Sequence, residues 1–323
     1  MDDAVELIEL YSSLGVERVI CTPHYRSPHY DVPVSDAEAA FSLLETRLAE
    51  LGVSHPALRI GAEVHMSRDF ESDLRSDTFP TLCSSRYILV EFPNDSLPDH
   101  AIRWVHELRV RGFHPIMAHP ERHLEVRRNP KIVKDLIGQG LLMQITASCF
   151  APAEARLGAE ESGAGVSGLG GAGEGRSGSE AGGSRGSRSG ADGSGSGGSG
   201  SGGSGSGGTS SGGPRSGGAR GDKAGFGKSN RSKEKSAALR QYEKIAWDIL
   251  ANGHAAVIAS DSHGVHRRRP ELSVAYDAIE ARYGESVVNT LIDNANAIWE
   301  NRPMSPVTPA IQPTKRWFSF LRG

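Results

Sequence analysis

The chain has 323 residues, enough for one large core or two small ones. A formal charge of −3 and a pI near 6.5 give no general attraction to nucleic acid or to an anionic membrane. Three widely spaced cysteines (Cys21, Cys83, Cys149) argue against a disulfide framework, and none is followed six positions later by the arginine of a thiol-phosphatase loop. No run approaches the roughly 18 apolar residues of a membrane span, and the first residues carry no signal pattern. The expected location is the cytoplasm, where thiols stay reduced.

The spacing of Leu7, Leu10, Tyr11 and Leu14 predicts a helix over Asp2–Leu14, stopped by Gly15. Val16–Thr22 reads as a strand leading into Pro23-His24. Ser35-Asp36-Ala37-Glu38 is a capping-box pattern that opens a helix striped by Ala37, Phe41, Leu44, Leu48 and Leu51, with Gly52 as its stop. Strands follow at Leu58–Val64 and Tyr87–Phe92, then a helix over Pro98–Arg111 ending on Gly112. In Phe113–Arg122, F-H-P-I-M-A-H-P-E-R, a short apolar run ends on an imidazole, a carboxylate and a guanidinium. Asn129-Pro130 opens a helix to Gly138–Gly140, and Leu141–Thr146 is the next strand. This gives six strands, counting the one at Ala255–Ser260, and their alternation with helices predicts an α/β fold with a parallel sheet.

From Pro152 to Lys235 the composition turns to Gly and Ser with scattered Arg. It carries too little apolar surface to offset its ordering entropy and reads as a disordered insertion. The expected division is 1–151 and 236–302 as two parts of one domain, 152–235 as the insertion, and 303–323 as a tail. Beyond the insertion come a helix over Ser236–Ala251, the strand Ala255–Ser260, and helices over Glu271–Tyr283 and Glu285–Glu300. The end of the tail, Lys315–Arg322, offers at most a weak membrane contact.

Five apolar runs close on metal-competent side chains: His24, Glu63, Glu91, His119, and Asp261 with His263. Imidazole nitrogen with carboxylate oxygen suits Mn, Fe or Zn, and six ligands exceed the need of one open catalytic ion. Two ions clamp the attacking and leaving oxygens of a phosphoryl transfer. Arg122, with Arg268 or Arg269, then suits the nonbridging phosphate oxygens. The remaining histidines, His65 and His123 among them, read as surface or turn residues.

T-P-H-Y at Thr22, G-A-E-V at Gly61, I-L-V-E-F-P at Ile88, A-H-P-E-R at Ala118, I-T-A-S at Ile145 and A-S-D-S-H at Ala259, with Arg269-Pro270, occur in this order. Together they resemble the PHP-domain tyrosine-protein phosphatases of bacteria, the CpsB/YwqE type encoded with capsule and exopolysaccharide genes. The resemblance implies a distorted seven-stranded β/α barrel with two or three manganese-type ions. It also implies hydrolysis of phosphotyrosine on the C-terminal tail of a membrane-linked tyrosine autokinase, with no nucleic-acid partner. By position it makes His24, Glu63, Glu91, His119, Asp261 and His263 ligands, and Arg122 a phosphate-binding residue. Arg269 matches the second such arginine, with Arg268 its competitor because one extra residue follows His263. The family pattern starts with a strand carrying His-x-His and then an acidic residue. Met1 falls after that strand, so the expectation is a start placed too far downstream or a truncated barrel. The other readings are a small-molecule phosphoesterase of the histidinol-phosphate kind, and an inactive binding homologue.

Overall fold

The computed structural model describes the backbone of residues 1–28, 31–53, 55–151, 224–266 and 268–310, and their side chains except at 99 and 224–235. Most of the Gly/Ser-rich insertion and the tail end Lys315–Arg322 lie outside the described residues. The described residues up to 151 and from 229 onward group in one compact unit; of the second, Ser167–Lys228, only the first residues of a helix are described.

The elements run α1 (Asp2–Ser13), β1 (Arg18–Cys21), β2 (His24–Tyr25), α2 (Val34–Leu51), β3 (Ala57–Ile60), β4 (Glu63–His65), α3 (Phe70–Ser76), β5 (Tyr87–Glu91), α4 (Asp99–Val110) and β6 (His114–Ala118). They continue with α5 (Leu124–Arg128), α6 (Ile132–Gly138), β7 (Leu142–Thr146), α7 (Ala224–Ala251), β8 (Val257–Ala259), α8 (Leu272–Tyr283) and α9 (Glu285–Trp299). All strand pairs are parallel. One sheet has the order β2-β4-β5-β6-β7-β8, and β1 pairs with β3 beside it.

Of the six expected strands, Leu58–Val64 is broken into β3 and β4, while Val16–Thr22 gives β1 and a further short strand, β2, follows it. Pro23 has no N–H to give to a ladder, so β1 stops at Cys21 and pairing resumes at His24. The neighbouring chain breaks at the same level, between Ile60 and Glu63. Backbone bonds cross the kink, from Gly61 N–H to the Cys21 carbonyl (2.8 Å) and from Glu63 N–H to the Pro23 carbonyl (3.0 Å). The kink re-aims the chain just where His24 and Glu63 begin.

Four helix readings also change. The buried face of α1 is Val5, Ile8 and Tyr11, while Leu14 is exposed. The capping box does not form: α2 starts one residue early, at Val34, and the Pro33 carbonyl accepts the N–H groups of Asp36 and Ala37. Its stop is as expected, with Gly52 left-handed at φ 63°. The helix after Asn129-Pro130 is preceded by α5, since Asn129 closes one helix before α6 begins. Helix α7 begins at Ala224, twelve residues before the expected Ser236. Extending an existing helix needs no new nucleus.

Both sheet faces are covered, as a parallel sheet requires. Ile88, Val90, Met117, Met143, Ile145 and Ile258 face a core with Phe70, Trp104, Ile249, Ile279 and Leu291 from the helices. The alternate residues Tyr87, Leu89, Ile116, Ala118 and Val257 face the other way, against Leu82 and Ile298. With a side-chain period of two, His24, Glu63, His65 and Glu91 continue this second face. Their neighbours Tyr25, Val64 and Val90 enter the first.

The turn after His24 is tied down by buried Asp73 of α3. Asp73 accepts from Tyr25 Oη (3.0 Å) and from Arg26 Nε and Nη2 (2.9 and 2.8 Å). Arg26 is held at φ 61°, which the fork offsets. Asp73→Ala should cost about 2–3 kcal/mol, the low end for breaking a buried pair because Arg26 keeps some water. A thermal melt should shift down by roughly 5–10 °C; an unchanged melt would show that the fork does not bear on the fold.

Candidate metal centre

Glu91 ends β5, His119 follows β6 and Asp261 follows β8, at the C-terminal ends where such folds carry their chemistry, while His24 and Glu63 open the short strands β2 and β4 beyond the kink. Donor atoms of His24, Glu63 and Glu91 lie within 4.8 Å of one another. Glu63 is buried and serves two imidazoles: Oε2 is 3.3 Å from His24 Nδ1, and Oε1 is 3.0 Å from His119 Nε2. The other His119 approach is to Glu91 Oε1, at 3.5 Å. His119 follows β6 at φ 35°, a left-handed turn that swings its ring back across the mouth. Burial alone pulls its imidazole pKa down, but the bond and charge of Glu63 outweigh this and raise it. Burial pushes the Glu91 carboxyl up, yet His65, His119 and His24 together bring it below its ordinary value. Nitrogen and oxygen donors without a thiolate fit a divalent Mn, Fe or Zn ion.

A second group stands beside it. Tyr11 of α1 and Ser260 share a hydroxyl bond of 2.6 Å that anchors the loop after β8. Asp261, at φ 48°, pairs with Arg122 Nη1 at 2.5 Å and with Arg268 at 3.6 Å. Burial pushes the Asp261 carboxyl up, but the charges of Arg122, His119 and Arg268 hold it below its ordinary value. Arg122 Nη2 donates to Thr146 Oγ1 (3.1 Å) at the end of β7. His263 lies 3.1 Å from Arg268 Nη1, and its ring centroid is 6.4 Å from that of His24.

The six expected ligands therefore fall into two adjacent groups: His24, Glu63, Glu91 and His119, then Asp261 and His263. Of the two competing arginines, Arg268 reaches the second group. Its φ of 51° turns the chain back so that the His263 N–H meets the Arg268 carbonyl, and Arg269 is left exposed near Glu271.

Some side chains escaped the sequence reading. His65 is not a surface residue but lies against Glu91, with Nδ1 3.3 Å from Oε2. The Glu63-x-His65 spacing on a strand was the available signal. His123 is buried with Nε2 2.8 Å from the Pro93 carbonyl oxygen, which bridges the segment after β5 to the turn after His119. Glu121, the carboxylate that the sequence already shows in the H-P-E-R run, proves fully buried; its Oε1 accepts the Thr146 N–H (3.3 Å) and lies 3.9 Å from Arg122 Nε. No sequence period marks it, because it sits in a 3-10 turn. Burial pushes the Cys21 and Cys83 thiols up to about 11, which makes them poor nucleophiles near neutral pH.

Comparison with known proteins gives a consistent picture. A family described as capsular polysaccharide synthesis, CpsB/CapC, matches residues 1–156. The tyrosine-protein phosphatase YwqE of Bacillus subtilis is 31% identical over 149 residues, 46% of this chain and 58% of that protein. A putative tyrosine-protein phosphatase, CapC of Staphylococcus aureus, is 29% identical over 150 residues, with the same two shares. The chain thus spans under two thirds of the length of these relatives. Crystal structures of YwqE from B. subtilis and CpsB from Streptococcus pneumoniae, described as metal-dependent tyrosine phosphatases, include a chain that superposes with a TM-score of 0.64 at 20% identity. The superposition covers 97% of this chain and 92% of that one, and it bears on the fold alone. Asp261, His263 and Arg268 lie beyond the matched residues, so their convergence on the mouth is information from the tertiary structure. Over residues 1–156 the chain is similar to the family described as capsular polysaccharide synthesis, CpsB/CapC.

Proposed function

We propose that this mouth binds divalent metal, Mn2+ first among the candidates, and hydrolyses phosphotyrosine on a protein. The substrate proposed is the C-terminal tail of a tyrosine autokinase that controls capsule or exopolysaccharide synthesis, acting in the cytoplasm. The carrying observation is the approach of His24, Glu63 and Glu91 donors within 4.8 Å, with Arg122 and Arg268 on Asp261 beside them. The names of the relatives, tyrosine-protein phosphatases, support the substrate class. The parallel strand order and the superposition support a PHP-type β/α barrel interrupted by the Gly/Ser-rich tract.

In this reading His24, Glu63, Glu91, His119, Asp261 and His263 hold the metal. Bound metal supplies Lewis-acid polarisation of the phosphoryl group and a nucleophilic hydroxide at neutral pH. The chain's own part is to bind and orient. Glu63 sets two imidazoles, bonded to His119 and in close charge contact with His24, and Glu121 with Thr146 holds the Arg122 guanidinium in place. Arg122 and Arg268 carry the positive charge that a phosphate monoester dianion needs, and a guanidinium fork matches its oxygens. Both now rest on Asp261, so phosphate competes with that carboxylate for them.

The test is hydrolysis of a phosphotyrosine peptide and of histidinol phosphate by Mn2+-loaded protein, with a chelator control. Expected is chelator-sensitive release of phosphate from the peptide, faster than from histidinol phosphate. A preference for histidinol phosphate overturns the substrate, and metal binding without turnover overturns the activity in favour of a binding role.

A further inference from the structure

The geometry points to His65 as a positioning residue of the metal centre: it fixes the Glu91 carboxylate through one oxygen and so presents the other to the ion. This rests on the metal reading above and extends it to a residue outside the expected ligand set.

Three observations converge on His65. Strand periodicity puts Glu63 and His65 of β4 on one face, while Val64 between them is fully buried in the opposite core. In the parallel ladder His65 stands directly beside Glu91, and the Met66 N–H donates to the Glu91 carbonyl at 2.8 Å, so the two backbones cannot slip apart. Across that register His65 Nδ1 is 3.3 Å from Glu91 Oε2. An ionised carboxylate only accepts, so the shared proton sits on Nδ1.

The two oxygens of Glu91 are thereby divided. Oε2 faces His65, and Oε1 faces His119 at 3.5 Å, on the side where Glu63 also lies. The side chains of His65 and Glu91 are only 12% and 14% exposed, so water is a poor substitute partner. A carboxylate held at one oxygen loses less rotamer freedom on binding an ion, and outer partners of this kind change metal affinity by about 10- to 100-fold.

The experiment compares wild type, His65→Ala and His65→Asn by Mn2+ titration calorimetry, by metal count, and by the visible spectrum of the Co2+-loaded protein. Asparagine carries an amide N–H near the place of Nδ1. His65→Ala should bind the same number of ions about tenfold more weakly, and His65→Asn should recover to within about threefold of wild type. The Co2+ band positions should stay the same in all three, since the ligands are unchanged. Unaltered affinity in His65→Ala would overturn the proposal. So would loss of an ion with a shifted Co2+ spectrum in both variants, which would make His65 a ligand. Equal weakening in both variants, with no recovery by asparagine, overturns it too. A wild type that takes up neither metal is a separate result: it defeats the metal reading itself, whatever the variants do.

Discussion

Glu63→Ala is expected to remove divalent-metal binding from the mouth and, with it, the phosphatase activity proposed here. The carboxylate is the junction of the first group, facing His24 through one oxygen and His119 through the other. Losing a ligand should exceed the about 10- to 100-fold cost of losing an outer partner, so a fall in affinity beyond a hundredfold is expected. The change also removes the main influence that raises the His119 imidazole, so burial and the Arg122 charge then pull its pKa down. Glu63→Gln keeps the volume and should lose metal equally, which separates charge from packing. Metal content by mass spectrometry is the direct check, and uptake unchanged in either variant would remove Glu63 from the site.

Arg122→Ala should cut turnover by about a hundred- to a thousandfold, the scale of losing one preorganised donor to a developing charge. Metal content should stay as in wild type: Arg122 contacts Asp261 among the proposed ligands, but its loss leaves that carboxylate free for an ion and does not touch His24, Glu63 or Glu91. The variant should also melt lower, since Glu121 is fully buried and would lose its nearest cation. Arg122→Lys restores the charge without the fork, so it should recover much of the melting temperature while turnover stays low. If both variants lose bound metal instead, the division between phosphate binding and metal binding fails.

The legible part of the site had a physical cause. Strands buried on both faces read as unbroken apolar runs, and the residue type that ends such a run stands out. His24, Glu63, Glu91, His119 and Asp261 were found this way, each at the end of its run. His65 was not, because a histidine one step past a valine looks like the start of a loop until its strand partner is known. The choice between Arg268 and Arg269 hung on one left-handed residue, which a motif match does not register.

By itself the sequence determined the alternation of strand and helix, the parallel sheet that follows from it, and which donors follow its apolar runs. Those are local properties, fixed by hydrophobic period and by the few residues that stop an element. Only the tertiary structure decided which donors meet: that Glu63 serves two histidines, that His65 backs Glu91, and that Arg122 lies on Asp261. Such contacts join residues far apart in the chain, and they depend on strand register and on the kink at Pro23. A one-residue slip in either would turn the same side chains to the opposite face.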